Sequence, residues 1–551
     1  MGSDYVKKNS FVEGAMISTI GIVLCKILGI LYVIPFRAII GTKGAILYSY
    51  AYTIYSVFAG LSSTGIPSAM AKTISEYNTL GYYDSQERAY KIGRNIIMGI
   101  GFVCFLILFI FAPQFSYLII GDLEGGNTIE DITFVIRVIS TALLFIPILS
   151  ISKGYLQGHR MMAVPAMANV IEQLVRVAVI IAGSFTVLKI FNLSITTAVG
   201  VATFGATVGA FVAYLYVLKK INQNKKALKR EEKPTEEEMK ITNKKIFKRI
   251  VIYSLPFILI EFVRSVYNTV DVFTVVRGLV GLGYDINEAE NILSIITTWG
   301  SKLNMIILSI TIGLAISLIP NIVSSATKKN YKDVSNKINQ ALKIILYTTL
   351  PMTLGLYFLS GSVWTVFYGY DALSVQVFSV FIFQTIINSF FYVLVDAMNA
   401  LSNPKVALTA LLGSFVLKAI INIPMMHLFN MIGIDAYYGV IFATMLVQGI
   451  SSIYLLIKLK KLYQVSYKET FKPAIKILLI NAIMLLSLMI VRLFVGEIEY
   501  TRFNSVLEIM LYATIGVIVY LVLSIKNNLI TDVFGDDLAN KLLKKFKRIK
   551  K

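Results

Sequence analysis

The segment Gly14–Phe36, GAMISTIGIVLCKILGILYVIPF, is long and apolar enough to cross a lipid bilayer as a helix. Lys26 lies near its middle, where a cation costs about 2.5–3.5 kcal/mol on insertion scales. Four further cations lie near the centres of other apolar segments: Arg176, Arg264, Lys302 and Lys418. The simplest benefit that offsets this cost is contact with an anionic ligand in an interior cavity.

The composition is that of an integral membrane protein. Of the 551 residues, 56% are hydrophobic and only 15% are charged, and the mean hydropathy is +0.72. A soluble chain would carry about 25% charged residues. In a soluble protein the net charge of +21 would suggest a nucleic-acid partner, but here the surplus of Lys and Arg lies in the loops. We therefore expect no nucleic-acid partner.

The apolar segments predict fourteen membrane-spanning helices, numbered here as spans 1 to 14 in chain order. They cover residues 14–36, 45–70, 93–113, 132–156, 163–188, 194–219, 249–277, 290–319, 338–360, 373–400, 405–428, 436–459, 472–494 and 503–525. The predicted fold class is thus an all-α integral membrane protein.

The loops between the spans alternate in charge. Four connections are rich in Lys and Arg: 71–94, 152–162, 320–343 and 458–476. Three others lack Lys and Arg and contain acids: 114–131, 278–290 and 361–372. Because Lys and Arg are retained on the cytoplasmic side, this alternation predicts that both termini are cytoplasmic.

The chain divides into two groups of six spans and a C-terminal pair. We predict an N-terminal six-helix lobe over 1–219, a cytoplasmic linker over 220–248 and a C-terminal six-helix lobe over 249–460. Spans 13 and 14 follow within 461–525. The last segment, 526–551, is a basic cytoplasmic tail in which apolar residues alternate with lysines, a pattern that suits contact with anionic membrane lipids.

Cations recur at matching places in the two lobes. Lys26 in span 1 and Arg264 in span 7 are 238 positions apart, and Arg176 in span 5 and Lys418 in span 11 are 242 apart. Because each lobe has an even number of spans, the lobes share one orientation. We expect a pseudo-two-fold axis along the membrane normal, with the transport site between the lobes.

Span 7 carries a stripe of polar residues on one helical face. Its members are spaced by 3, 4 and 3 positions: Glu261, Arg264, Asn268 and Asp271. Such a stripe faces protein or water rather than lipid. Asp271 is a candidate site for a proton or a monovalent cation, as is Asp396 in span 10.

Two of the buried cations have an acid within reach on their own helix. Glu172 and Arg176 in span 5 are at i,i+4, where they can pair. This pair, like Glu261 with Arg264, either only orients helices or belongs to a site. Lys26, Lys302 and Lys418 have no acid three or four positions away, so another helix, water or a ligand must meet their charges.

A stripe of Tyr48, Tyr52 and Tyr55 on span 2 is either packing or a contact for a ligand headgroup. Motifs of known enzymes are absent from the sequence, as is an ATP-binding motif, and the two histidines show no metal-ligand pattern. We therefore expect a protein that is not an enzyme and has no cofactor. Its driving force would be an ion gradient, the membrane potential or a substrate gradient.

Two stretches resemble a known group. The first is Gly41-Thr42-Lys43-Gly44 with the tyrosine stripe and Ser63-Thr64-Gly65-Ile66-Pro67. The second is Lys153-Gly154-Tyr155-Leu156-Gln157-Gly158-His159-Arg160, followed by Val170-Ile171-Glu172-Gln173-Leu174-Val175-Arg176. Both are similar to polysaccharide exporters and stage V sporulation protein B relatives. The resemblance covers essentially the whole chain and implies the MOP flippase superfamily, with the MurJ-type lipid II flippases as the closest branch.

The resemblance implies an activity and a location. It implies movement of undecaprenyl-pyrophosphate-linked peptidoglycan precursor from the inner to the outer leaflet of the bacterial cytoplasmic membrane by alternating access. Spans 13 and 14 would line a groove for the polyprenyl tail. Implied partners are the lipid-linked oligosaccharide, membrane lipids and the cell-wall synthesis machinery.

Only some of the family's cavity cations have a counterpart in this sequence. The arginine of span 1 falls on Lys26, and that of span 8 falls near Lys302, whereas a second arginine of span 1 falls near Tyr32. The acid that follows the span 8 arginine has no clear match, since Asn304 and Met305 occupy that stretch. The resemblance thus assigns Lys26, Arg264 and Lys302 to pyrophosphate binding, with Arg176 and Lys418 as additional cations.

Other functions stay open from the sequence. Within the superfamily, the substrate could be another lipid-linked oligosaccharide, such as a capsule, teichoic or spore polysaccharide precursor, or a drug cation. A drug–cation antiporter should have an acid-dominated cavity, whereas cations predominate here. A membrane-embedded polyprenyl-phosphate transferase would need acids or metal ligands near one membrane face, and a non-transporting scaffold would need no cavity cations.

Overall fold

The fold is described from a computed structural model that covers residues 21, 24–63, 65–121, 126–159, 161–228, 235–316, 319–401, 403–496 and 499–535. All regular secondary structure within these ranges is helical. Helices suit an apolar chain because they satisfy every interior backbone N–H and C=O within one segment. Several begin at a side-chain cap, such as Thr128, which forms a capping box with Asp131.

The helices account for the fourteen predicted spans. Twelve helices in the described part of the chain are long and apolar enough to cross a membrane. One of them, Leu24–Ser63, contains the described part of span 1 and most of span 2, and each of the others matches one span. Span 7 is not among the twelve, and its residues form the helices Asn243–Tyr267 and Thr269–Gly281. The predicted all-α membrane class is confirmed.

Spans 1 and 2 are joined through Gly41 rather than by a separate loop. Helical residues continue on both sides of Gly41, which has φ 66° and ψ −170°. A positive φ is strained for residues with a Cβ atom, so glycine is the residue that suits this kink. Lys43, predicted to lie in the connection, is therefore the second residue of the helical segment after the kink.

The chain forms two compact units. The first comprises the described residues up to Arg277 together with Asp285–Ser294. Its helices are Val33–Ser63, Gly65–Leu80, Tyr83–Ile110, Ala112–Ile120, Ile129–Ser140, Ile146–Gly158, Ala163–Ala178, Ile195–Gln223, Lys225–Leu228, Glu236–Met239, Asn243–Tyr267, Thr269–Gly281 as far as Arg277, and Ile286–Ser294. The π-helical segments Val179–Gly183 and Thr186–Ile190 follow Ala178, and Thr141–Leu144 is a 3₁₀ turn.

Small residues let helices of the first unit approach closely. A Cβ atom on Gly154 would lie 2.5 Å from the carbonyl oxygen of Pro67. A Cβ atom on Gly60 would lie 2.7 Å from Oγ of Ser265, so span 7 packs directly on span 2. Membrane helices are often held together by such close backbone approach.

The second unit comprises Gly278–Tyr284 and the described residues from Ile295 onward. It starts with the π-helical segment Ile295–Trp299. Its other helices are Gly300–Ile316, Ile319–Thr327, Tyr331–Phe358, Ser360–Tyr368, Ala372–Phe381, Gln384–Ala400, Pro404–Met431, Ala436–Tyr463, Lys468–Val495, Arg502–Lys526 and Leu529–Phe534.

The last helix, Leu529–Phe534, is docked on the second unit. Leu529, Ile530 and Val533 are buried in an apolar cluster with residues of spans 9, 13 and 14. The ammonium of Lys476 donates to a carboxylate oxygen of Asp532 at 2.7 Å. This helix begins the predicted basic tail, whose residues 536–551 lie outside the described residues.

The compact units and the predicted lobes divide the chain at different places. Span 7 and the start of span 8 belong to the first unit, whereas the sequence groups spans 7 to 12 as one lobe. Part of the linker is also attached to the first unit, because Glu238 accepts a hydrogen bond from the backbone N–H of Ser85 at 2.7 Å. The six-helix lobes, the linker and the span 13–14 pair, as bounded from the sequence, stay a prediction.

Candidate functional site

The first unit contains a partly buried cluster of two cations and one acid. The guanidinium of Arg176 lies 3.0 Å from the carboxylate of Glu172, and both side chains are less than one-fifth exposed. The ammonium of Lys153 lies 3.6 Å from the same carboxylate and donates to Oδ1 of Asn169 at 2.8 Å. One carboxylate thus meets two cations, which leaves the cluster with a net positive charge.

The tyrosine stripe of span 2 lies beside this cluster. Tyr48 and Tyr52 are stacked with ring centroids 5.5 Å apart, and the ring of Tyr55 is 5.9 Å from that of Tyr52. All three tyrosines are close enough to interact electrostatically with Arg176. Tyr32 joins them, because its hydroxyl oxygen is 3.4 Å from that of Tyr48. The tyrosines of the stripe therefore pack against one another and also lie close to the Arg176 cation.

Span 1 reaches the same cluster through a seam of small residues. Cβ atoms on Gly21 and Gly29 would lie 3.1 Å from Ala166 and 3.4 Å from the Gln173 amide nitrogen, so this face touches span 5. Cys25, between them at helical spacing, is near enough to Glu172 to interact with its charge. Lys26 is the next residue and is half-buried beside this seam.

The polar stripe of span 7 is divided by a break in the helix. Arg264 and Glu261 form an ion pair at 3.8 Å in the first segment. Asn268 ends that segment and is exposed, while Asp271 lies in the first turn of the next segment and is buried. Acids near a helix N-terminus are favoured by the helix dipole. Glu261 and Arg264 therefore lie on one helical face, as predicted. The helix is interrupted at Asn268, so Asp271 lies on a separate helical segment.

In the second unit, Lys302 is held by an aromatic side chain. Its ammonium lies 4.6 Å from the ring centroid of Trp299. Trp299 is fully buried, and its carbonyl oxygen accepts a hydrogen bond from the Tyr368 hydroxyl at 2.9 Å. Tryptophan is the aromatic residue that attracts cations most strongly. The position of Lys302 is therefore set by a rigid aromatic group.

Lys418 differs from the other predicted cations in being only 1% exposed. It lies in the helix Pro404–Met431 with Ser414 and Asn422 one turn away on either side, both fully buried. A buried ammonium needs polar partners, so this part of span 11 is a polar core. Asp396, on span 10, is half-buried.

The predicted site residues thus fall into two groups. Those in the first unit are Lys26, Glu172, Arg176, Glu261, Arg264, Asn268 and Asp271. Those in the second unit are Lys302, Asp396 and Lys418. Lys153 was assigned to a loop from the sequence, although it belongs to the Arg176 cluster. Its position 19 residues before Glu172 gave no local signal, because the contact joins two helices.

The described residues contain no group of three or more His, Cys, Asp or Glu side chains placed to hold a metal ion. Twelve described helices that could cross a membrane, with ionisable side chains among them, define a multi-pass membrane protein. The sequence model of the family "Polysaccharide biosynthesis protein" matches residues 11–325, and that of "Lipid II flippase MurJ" matches residues 296–516. The chain belongs to the lipid II flippase MurJ family.

Relatives of known sequence support this assignment. The chain is 31% identical over 539 residues to the lipid II flippase MurJ of Bacillus subtilis (strain 168), covering 96% of this chain and 97% of that protein. It is 22% identical over 368 residues to stage V sporulation protein B of the same organism, covering 67% and 68% of the two chains. The near-complete coverage of the flippase shows that the similarity extends over spans 1 to 14.

Solved structures share the fold. A lipid II flippase MurJ in an inward closed conformation matches with a TM-score of 0.66 at 18% identity, covering 92% of this chain and 98% of that one. An inward-facing multidrug resistance MATE transporter of the MOP superfamily matches with a TM-score of 0.62 at 12% identity, covering 82% and 99%. At these identities the matches establish the fold alone.

Proposed function

We propose that this chain translocates lipid II from the inner to the outer leaflet of the bacterial cytoplasmic membrane by alternating access. The observation that carries the proposal is the 31% identity to a lipid II flippase over nearly the full length of both chains. The proposal includes cytoplasmic termini, as the loop charges predict, and a transporter without enzymatic activity or cofactor. The cell-wall synthesis machinery is the proposed source and destination of the lipid.

The pyrophosphate of the substrate would be bound by cations that lie within the spans. Lys26, Arg264 and Lys302 are the proposed first contacts, because each side chain is only partly buried. Arginine binds phosphate oxygens with two parallel hydrogen bonds, whereas lysine acts as a point charge. This division suggests that Arg264 orients the pyrophosphate and that the lysines add charge.

Arg176 and Lys418 would act differently from the first three. The Arg176 cluster has two cations for one acid, so it can contribute a positive field while its own geometry stays fixed. Lys418 is enclosed in the present conformation, so contact with substrate would require span 11 to open. We propose that Arg176 attracts the pyrophosphate through its positive field. Lys418 would contact the substrate at a different step of the transport cycle.

Coupling to a proton or a monovalent cation would use the acids within the spans. The proposed candidates are Glu172, Glu261, Asp271 and Asp396, with Asn268 as a neutral oxygen ligand. Asp271 is the strongest of these, because it is buried in the first turn after the break in span 7. Carboxylates of this kind commonly mark ion pathways in transporters.

The polyprenyl tail would lie along spans 13 and 14. Their helices, Lys468–Val495 and Arg502–Lys526, expose large apolar side chains along much of their length, including Leu478, Leu486, Met510 and Val517. An apolar surface of this length suits a lipid chain as well as bulk lipid. The proposal assigns the groove to these spans and leaves the charge recognition to the others.

The test combines cells and vesicles. Lys26→Gln and Arg264→Gln should each abolish complementation of a flippase-depleted strain while the protein still reaches the membrane, with the exposed Lys91→Gln as the matched control. In proteoliposomes the purified chain should move lipid II. Arg264→Lys should lower the flipping rate more than replacement of an exposed arginine by lysine does. Full activity of both neutralised variants would overturn the site assignment.

A second candidate substrate is another lipid-linked oligosaccharide, such as a capsule, teichoic or spore polysaccharide precursor. The observation that favours it is the match of residues 11–325 to the polysaccharide biosynthesis family. Depletion of the protein followed by analysis of the inner leaflet separates the candidates, because the lipid that accumulates there is the substrate. Accumulation of a lipid other than lipid II would replace the first proposal with the second. A drug cation, the remaining alternative, would leave every lipid precursor unchanged.

A further inference from the structure

Span 8 is shared between the two compact units. Its first turns, Asp285–Ser294, belong to the first unit, and the chain from Ile295 onward belongs to the second. The helix changes character at the same position, because Ile286–Ser294 is α-helical and Ile295–Trp299 is π-helical. The division into units and the hydrogen-bonding pattern of the helix both place a boundary between Ser294 and Ile295.

The first part of span 8 is fixed to the first unit by a buried carboxylate. Glu290 is 1% exposed, and its Oε1 accepts a hydrogen bond from the Tyr50 hydroxyl at 3.1 Å. Oε1 also accepts from the backbone N–H of Asn127 at 3.4 Å, and Oε2 accepts from the side-chain amide of Asn127 at 3.3 Å. A Cβ atom on Gly126 would lie 2.7 Å from Cδ of Glu290, so the loop fits closely around the carboxylate.

The charges around Glu290 favour this arrangement. Lys43, on the same helix as Tyr50, is close enough to attract the carboxylate. The neighbouring acids are Asp285, which directly precedes the helix of Glu290, and Glu288 on that helix; Asp285 is exposed and Glu288 is partly exposed. Leaving a buried carboxylate without its donors is far more costly than leaving a surface acid unpaired. The Glu290 contacts therefore keep these turns attached to the first unit.

The second part of span 8 is fixed to the second unit by aromatic packing. The rings of Trp299 and Tyr368 are 5.7 Å apart, and Tyr368 donates to the Trp299 carbonyl oxygen. A Cβ atom on Gly300 would lie 3.1 Å from Phe381, so the turn after the π-helical segment is also packed closely. The five π-helical residues thus lie between two well-anchored stretches.

A π-helical turn is the point at which such a helix bends most readily. It contains one residue more than the α-helical turn it replaces, its hydrogen bonds are less well aligned, and it occurs often at functional sites. We propose that Ile295–Trp299 is the hinge of span 8 and that Glu290 is the positioning residue that anchors the helix on the first unit. Movement of the second unit then carries Lys302, one turn beyond the hinge, relative to Glu290. The inference rests on the proposed flippase function.

The hinge is tested by removing its extra residue. Deletion of Thr297 should convert the π-helical turn to an α-helical one while both flanks keep their faces. We expect this variant to bind lipid II with unchanged affinity but to flip it at least about tenfold more slowly. Spin labels on the two units should report two distance populations in the wild type and one in the deletion variant. Wild-type flipping by a folded deletion variant would overturn the hinge.

The anchor is tested with a variant series. Glu290→Ala and Tyr50→Phe should each lower the flipping rate by about 3- to 30-fold with lipid II affinity unchanged, and the double variant should be no slower than Glu290→Ala. Glu290→Gln, which can still accept from Tyr50, should restore most of the rate, and Glu288→Ala is the matched control. If the losses of the two single variants add up in the double variant, or if lipid II affinity falls together with the flipping rate, the contact has only a structural role.

The proposed flippase function and the proposed hinge can be disproved separately. If the wild-type protein does not move lipid II in the same vesicles, the proposed function fails, whatever the variants do. If the wild type moves lipid II and the deletion variant keeps both distance populations, the hinge fails while the function stands.

Discussion

The hydroxyl oxygens of Tyr32 and Tyr48 lie 3.4 Å apart, in a buried aromatic group that also contains Phe36. Tyr32 is the position at which the family resemblance leads one to expect a second cation in span 1. The Arg176 guanidinium is near enough to interact with Tyr32 electrostatically. A cation of span 5 thus lies near the position at which the resemblance implies a second cation in span 1.

The proximity of Tyr32 to Arg176 predicts the effect of placing an arginine at position 32. Tyr32→Arg should lower transport by about tenfold or more, because it places a second cation beside Arg176 in a poorly solvated site. Combining it with Arg176→Gln should recover much of the loss, since Glu172 can then pair with the new arginine. The measurement is the flipping rate in proteoliposomes at equal protein density. An unchanged or worse double variant would show that the two positions are not equivalent.

Glu172 should be more important for stability than other ion-pairing acids. Glu172→Gln leaves Arg176 and Lys153 with no carboxylate between them. Breaking a fully buried pair costs about 3–5 kcal/mol, and these side chains are 18–19% exposed, so the expected loss lies below that range but above that of a surface pair. Glu87→Gln is the control, because Glu87 pairs with Lys91 at 2.9 Å on an exposed helix face, where the cost is about 1 kcal/mol or less. Thermal unfolding of the purified proteins in one detergent compares the two, and equal midpoints would contradict the prediction.

The sequence predicted the helices well because lipid imposes a simple rule. Any apolar stretch of bilayer length must satisfy its own backbone groups, so the position of the helix in the sequence follows from local composition. Span 7 was recognised as a span even though its charges weaken the apolar signal. The fold class, the helix count and the family therefore follow from one-dimensional information.

The arrangement of the site could not be predicted in the same way. That Lys153 meets Glu172, or that Lys418 is enclosed, depends on which helix faces touch, and hydropathy does not encode this. The Glu290–Tyr50 contact joins residues 240 positions apart and shows no local pattern. The π-helical turn at Ile295–Trp299 depends on a single inserted residue, which apolar periodicity over one span does not reveal.

Close helix packing gives a third prediction. Gly154→Ala should lower the free energy of unfolding by about 1–3 kcal/mol, because the new methyl group meets backbone atoms of Pro67, which cannot move aside as a flexible side chain can. Gly99→Ala is the matched control, since a Cβ atom there meets nothing within 4 Å and alanine favours helix. Unfolding midpoints of both variants provide the measurement, and a loss at Gly99 equal to that at Gly154 would refute the packing argument.

The docked C-terminal helix gives a fourth prediction. A chain that ends at Asn528 should be less stable than one that ends at Gly535 by about 3 kcal/mol or more, because only the longer chain buries Leu529, Ile530 and Val533. Lys476→Ala should reproduce a small part of this loss by removing the partner of Asp532. Unfolding of the three proteins in detergent measures the differences. Equal stability of the two truncated chains would mean that the docked helix contributes nothing.

The close approach of Gly60 to Ser265 also bears on how the protein is made. The first unit contains residues from before and well after the linker, so it stays incomplete when the first six spans have left the ribosome. Gly60 lacks its contact with Ser265 until span 7 has been synthesised, and the Tyr50 hydroxyl lacks Glu290 until the start of span 8 follows. Synthesis of this protein therefore includes a waiting period, during which half of the chain is in the membrane but cannot finish folding.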